Sequence, residues 1–122
     1  ELRKEHPNLI MSGDYNIAHT EVDIHNPKSN KNTSGFLPHE REWMGKLLET
    51  GWVDTFRHQH PDALDKYSWW SYRANARANN KGWRIDYNLV TEVLKDKIVN
   101  TEIWADDFHS DHCPILLEMD LS

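Results

Sequence analysis

Short apolar runs, each bounded by a cluster of polar side chains, limit what this chain can fold into more than any other feature. Leu9-Ile10-Met11 leads to Gly13-Asp14-Tyr15-Asn16, Arg84-Ile85-Asp86-Tyr87 opens a second run, and Ser110-Asp111-His112-Cys113-Pro114 comes just before Ile115-Leu116-Leu117. Runs this short read as strands. Polar clusters that recur at strand ends place one site at the rim of a sheet. Acid, amide and imidazole together suit hydrolysis of a phosphate ester with a divalent metal.

The intervening sequence fills in the frame. Residues 19–35 are polar and read as a long loop, a type that is often functional in a compact domain. Pro38 to about Thr50 predicts a helix with Trp43, Met44, Leu47 and Leu48 on one face, ended by Gly51. Residues 52–56 form a short apolar element, read as a helical turn. The aromatics of 67–73 predict a strand, and residues 74–82 a turn or surface loop. Residues 84–90 alternate, with Ile85, Tyr87 and Leu89 on one side and Asp86 on the other. Thr91 is placed to cap a short helix through Lys95, and residues 98–104 and 114–121 read as the last strands. The expected fold is a single α/β (α+β) domain over residues 1–122, a mixed sheet with one or two helices. Residues Glu1 to Glu5 read as helical and polar, and run straight into a core strand. So few helices leave a mixed sheet uncovered, which implies a missing layer.

Length and composition narrow the function classes. A chain of 122 residues builds one small domain with a modest core. The single Cys113 excludes an internal disulfide and suits a reducing cytosol. No signal peptide and no membrane-spanning run is visible. A net charge of −6 does not mark a nucleic-acid binder, but the distribution is uneven. Lys66, Arg73, Arg77, Lys81 and Arg84 fall in a stretch without an acid, interleaved with Tyr67, Trp69, Trp70, Tyr72 and Trp83. Such a segment faces phosphates and bases, or it is a solvated loop with its aromatics turned into the core.

Asp14 and Asn16 lie two apart and point the same way on an extended segment. Asp14 is suited to deprotonate a water, and Asn16 to meet a phosphate oxygen or a metal. Read alone, the pair equally fits an Asx-type turn that ends a strand. His112 is suited to donate to a phosphate oxygen, with Asp86 as the carboxylate that orients it and raises its pKa. Asp111 then remains for a hard divalent cation. Taken singly, each of these also fits a cap, an ion pair or a satisfied histidine. His58-x-His60 and His109-x-x-His112 have zinc-like spacing, but the eight His are scattered over loops with one Cys, which argues against structural zinc.

In order and number these motifs resemble the exonuclease III family of apurinic/apyrimidinic endonucleases, within the endonuclease/exonuclease/phosphatase superfamily. The matching pieces include Gly13-Asp14-Tyr15-Asn16, Asn26-Pro27-Lys28 with Asn30, Gly51-Trp52-Val53-Asp54-Thr55-Phe56-Arg57, Tyr67-Ser68-Trp69-Trp70-Ser71-Tyr72-Arg73, Gly82-Trp83-Arg84-Ile85-Asp86-Tyr87 and Ser110-Asp111-His112-Cys113-Pro114. The resemblance implies the C-terminal half of a four-layer αββα sandwich. It implies Asp14, Asn16, Asp86 and His112 as catalytic residues, and Asp14, Asn16 and Asp111 at a Mg2+ site that would also accept Mn2+. It implies double-stranded DNA with abasic sites or 3′ ends as substrate, contacted by Lys28, Asn30, Trp69, Arg73 and Trp83. A bacterial cytoplasm and association with the nucleoid follow as its expected location.

The departures set further expectations. The family's N-terminal Asn, metal-binding Glu and active-site Tyr would lie before Glu1, so the isolated chain is expected to be weak or inactive. Thr33 stands where the family often has Asn, and Leu37 before Pro38 makes a poor helix cap. Three other readings stay open: a different phosphoesterase of the superfamily, a non-catalytic DNA-binding module, and a half-domain that pairs its open face with a second copy.

Overall fold

The computed structural model describes residues 5–122, so the helical reading of 1–5 lies outside the described residues except for Glu5. The chain forms β1 (Ile10–Asp14), a one-turn 3-10 helix (Glu21–Asp23), α1 (Pro38–Glu49), β2 (Trp52–Asp54) and α2 (Thr55–Gln59). It continues as β3 (Trp69–Trp70), β4 (Gly82–Trp83), β5 (Asp86–Thr91), a 3-10 helix (Glu92–Lys97), β6 (Ile98–Ile103) and β7 (Ile115–Met119). Among these, no helix is long and apolar enough to cross a membrane.

The α+β class stands, with the strands shorter and more divided than the sequence implies. They form three small sheets, β1-β5-β2, β3-β4 and β6-β7, and every pair is antiparallel where a mixed sheet is expected. The segment 67–73 keeps only Trp69–Trp70 as strand, because Ser71 and Tyr72 turn away toward a loop and Tyr72 is exposed. Residues 52–56 divide between the end of β2 and the start of α2, whose first turn is capped by the Asp54 carboxylate accepting from the Arg57 amide.

β5 is the central strand, and its register decides the site. Tyr87 and Leu89 pack with Met44 of α1, while Val90 packs with Val53, Leu94, Leu117 and Met119 on the other face. The period of two then puts Asp86 at the end of the strand, opposite Asp14 of β1. Trp43 departs from the expected apolar face of α1: it is exposed, and only Met44 on that helix is fully buried.

The weak cap at Leu37 is compensated by Glu40. Its Oε1 accepts from the amides of Gly35 at 2.7 Å and Leu37 at 3.1 Å, the carboxylate half of a capping box. Glu40→Ala is therefore expected to lower stability by about 0.5–2 kcal/mol, measured as a shifted urea midpoint with unchanged slope.

The basic stretch divides by burial. Arg84 is fully buried: its Nε donates to Asp23 at 2.8 Å and its Nη atoms to the Asp54 carboxylate at 3.0 and 2.5 Å. Arg57 adds a second bond to Asp23 at 2.8 Å. Arg77 stacks on Trp70 and on Phe108, with its guanidinium carbon 4.4 and 4.3 Å from the two ring centroids. Its Nη groups donate to the carbonyls of Ala105, Asp107 and Ser110, which fixes the loop entering Asp111-His112. Of the five basic side chains, Lys66, Arg73 and Lys81 remain exposed to solvent.

Candidate active site

Three chain segments converge where the ends of β1 and β5 meet the segment 110–113. That last segment lies against β3: the Trp70 amide donates to the Asp111 carbonyl at 3.1 Å, and the Cys113 amide to the Ser68 carbonyl at 2.9 Å. β3 in turn pairs with β4, two residues before β5 begins. Residues far apart in sequence are thus joined by backbone hydrogen bonds, and Asp14, Asp86 and His112 bring their ligand atoms within 4.8 Å of one another.

His112 is the hinge of this group. Its Nδ1 is 2.8 Å from Asp86 Oδ2, and its Nε2 is 3.6 Å from Asp14 Oδ2. The first is a charge-assisted hydrogen bond; the second is too long for one. Nε2 therefore has no hydrogen-bond partner among the described residues, and a third of the side chain is exposed. Partial burial works against the charged imidazole, but the hydrogen bond to Asp86 and the charges of Asp86, Asp14 and Asp111 outweigh it and raise the pKa above its usual 6.5. Burial pushes the Asp86 carboxyl above the usual aspartate range, against hydrogen bonds from His112 and Ser68 that favour its anion.

Asp14 and Asn16 both turn and meet. The Asn16 amide N–H donates to Asp14 Oδ1 at 2.8 Å, the Asx-type turn that the sequence allows, with Asn16 at a positive φ of 55°. The side-chain nitrogen of Asn16, turned to Asp14, lies 3.1 and 3.2 Å from its two carboxylate oxygens. The turn and the site are one structure: the same bonds end β1 and orient a carboxylate toward His112.

Asp111 stands outside the group of three. Its Oδ2 accepts from Trp69 Nε1 at 3.0 Å, which holds its carboxyl below the usual range, and its Oδ1 accepts from Ser110. Trp69 and Trp83 meet edge to face, with centroids 6.1 Å apart and planes at 86°. With Asn16, Thr33, Ser34, Ile85 and His112 they line an open cavity of about 330 Å³. Gly35, at a φ of 98°, allows its loop this close: a Cβ there would lie 2.6 Å from the Trp83 ring. On the other side of the two indoles, Arg73 and Lys81 line a second cavity with His25. Lys28 is exposed on the long loop, whereas the Asn30 amide nitrogen closes that loop on the carbonyls of His25 and Asn26.

Comparison with known proteins identifies the family of this fold. The pattern of the endonuclease/exonuclease/phosphatase family matches residues 1–112. The chain belongs to this family. Over 117 residues it is 53% identical to an exodeoxyribonuclease of Bacillus subtilis, a match that covers 96% of this chain and 46% of that protein. An AP endonuclease from Leishmania major superposes with a TM-score of 0.86 at 38% identity, over 90% of this chain and 34% of that one. The Neisseria 3′ phosphatase NExo, bound to a product DNA hairpin, superposes with a TM-score of 0.90 at 28% identity, over 98% and 49%. Within the family these relatives place the chain in the exonuclease III branch. It spans about half the length or less of these relatives.

Two contributors escape sequence reasoning. Ser68 and Arg77 touch the site's backbone and not its cavity, and neither residue type signals that in a sequence. The remaining histidines give no zinc cluster among the described residues, and His60 Nε2 is bonded to the Thr101 carbonyl. Cys113 is buried and its thiol is pushed up to about 11, which makes it a packing residue and not a nucleophile.

Proposed function

We propose that the chain supplies part of the active site of a divalent-metal-dependent DNA phosphodiesterase, an abasic-site endonuclease and 3′ exonuclease. The observation that carries this reading is the free Nε2 of His112, presented beside Asp14 at the mouth of a tryptophan-walled cavity. A protonated imidazole held by Asp86 is suited to donate through Nε2 to a non-bridging phosphate oxygen as charge develops there. Asp14, oriented by Asn16, is suited to take the proton of an attacking water. The cavity that Trp69 and Trp83 wall has room for a sugar ring, and a sugar without a base is the nucleotide most easily turned out of a duplex.

The donor set fits a partly protein-bound Mg2+, since that ion is held by one or two carboxylates and keeps waters and substrate oxygens as its other ligands. We assign it to Asp14 and the side-chain oxygen of Asn16; Asp111 stands outside that group, so its carboxylate would reach the ion through a bound water. A cation held there neutralises phosphate charge. His112 does not suit a ligand role, because Nδ1 already faces Asp86.

Arg73, Lys81 and Lys28 are assigned to phosphate contact, and the cytoplasm and nucleoid to the enzyme's place of action. Arg73→Ala is expected to weaken DNA binding and to reduce the slope of log K against log salt by about one, read by fluorescence anisotropy across a salt series.

The test is nicking of a duplex carrying one abasic-site analogue, with magnesium and with chelator. It is run on the chain alone and on the chain supplied with the N-terminal half of the Bacillus exodeoxyribonuclease. Magnesium-dependent nicking in the second mixture is expected. Cleavage of small phosphate esters in preference to the duplex would point to another phosphoesterase. Salt-sensitive binding without cleavage in either mixture would leave a DNA-binding module.

A further inference from the structure

Ser68 is completely buried, and no step of the proposed reaction uses it. Its backbone lies between two segments of the site: its N–H donates to the Trp83 carbonyl at 2.9 Å, and its carbonyl accepts the Cys113 amide at 2.9 Å. Its Oγ accepts two further amides, from Ile85 at 3.0 Å and from Asp86 at 3.1 Å. One residue therefore ties the segment carrying Asp86 to the segment carrying His112.

A hydroxyl has two acceptor positions and one proton. Both acceptor positions are filled by amides, so the destination of the proton matters. The Trp83 carbonyl is 3.5 Å away, at the outer limit of a hydrogen bond. That carbonyl belongs to β4, so every hydrogen bond of the Ser68 hydroxyl is made to main-chain groups of the segment leading to Asp86.

We propose that Ser68 is a positioning residue for the Asp86–His112 pair: its hydroxyl fixes the backbone at Ile85 and Asp86 by accepting both amides, so that the Asp86 carboxylate and, through it, His112 are held with Nε2 outward. The consequence for catalysis rests on the reading of His112 given above; the geometric role does not. Without the hydroxyl, two buried amides lose their acceptor and the backbone that carries the Asp86 carboxylate loses its anchor. The imidazole, held by that carboxylate alone, then samples other orientations.

Proton NMR of the 122-residue chain reads this directly. The Nδ1–H signal of His112 is expected downfield and slow to exchange in the wild type. It should broaden beyond detection in Ser68→Ala and return in Ser68→Thr, which keeps the hydroxyl. An unchanged signal in a folded Ser68→Ala would overturn the proposal. If that variant does not fold, amide exchange in the wild type decides: protection of both Ile85 and Asp86 is expected, and an Asp86 amide that exchanges at the unprotected rate overturns the assignment. In the mixture with the N-terminal half, Ser68→Ala should lower kcat about tenfold with little change in KM. A normal NMR response with no nuclease activity in any variant would support the Ser68 role while removing the phosphodiesterase reading.

Discussion

Arg84→Met is expected to destabilise the fold by about 3–5 kcal/mol, enough to unfold many domains of this size. The change removes the one cation that faces both Asp23 and Asp54 in the interior, and leaves the Arg57 guanidinium as a paired cation on Asp23 alone. Loss of one member of a buried ion cluster is far more damaging than its net worth, because the survivors stay desolvated. The same cluster predicts an acid response. Burial pushes the Asp23 carboxyl up, but the Arg84 charge and hydrogen bonds from Arg84, Arg57 and Thr20 outweigh it and hold it down at about 2, from an ordinary 3.8. A folded pKa below the unfolded one contributes stability that is complete above the unfolded value and lost as pH falls through the folded one. Wild-type stability should therefore fall steeply between about pH 4 and pH 2, and urea midpoints taken across that range check it. In Arg84→Met the fall should begin at higher pH. An Arg84→Met midpoint equal to wild type at neutral pH would mean that the cluster contributes nothing to the fold.

This cluster also shows why part of the molecule was legible in the sequence and part was not. Asp14, Asp86 and His112 were readable because each sits in a polar cluster at the end of an apolar run, and a period-two strand carries that position to a sheet edge. The order of the motifs pointed to the family that the comparisons show. Arg84 was not readable as a core residue. A charge beside Trp83 in a basic stretch looks like nucleic-acid contact, and only tertiary pairing with Asp23 and Asp54, 61 and 30 residues away, reveals the interior role. Trp43 failed for the opposite reason: helical spacing allotted it to the apolar face, yet the buried seam on α1 is only as wide as Met44 with Leu47 and Leu48 beside it. The division into three small sheets was likewise hidden, since it depends on which strands meet and not on their local pattern.

In the chain supplied with the N-terminal half of the Bacillus exodeoxyribonuclease, His112→Asn is expected to lower kcat for nicking by about 10²–10³, with KM nearly unchanged. Asparagine can still approach Asp86, but it carries no positive charge and puts no N–H where Nε2 stands. The loss should therefore appear where charge develops on the phosphate and leave ground-state DNA binding intact. The pH profile distinguishes this role from a structural one. With its pKa raised above the usual 6.5, His112 keeps its proton to higher pH than a free imidazole does, and activity that needs the imidazolium declines as pH rises through the raised value. Asp86→Asn removes the charge that opposes desolvation and leaves at most a neutral, weaker hydrogen bond, so the pKa of His112 should drop and the alkaline limb should move to lower pH. A structural role would instead lower the whole profile without displacing it. If Asp86→Asn leaves the alkaline limb in place, the group titrating there is not His112, and the imidazole does not act as the proton-bearing partner of the phosphate.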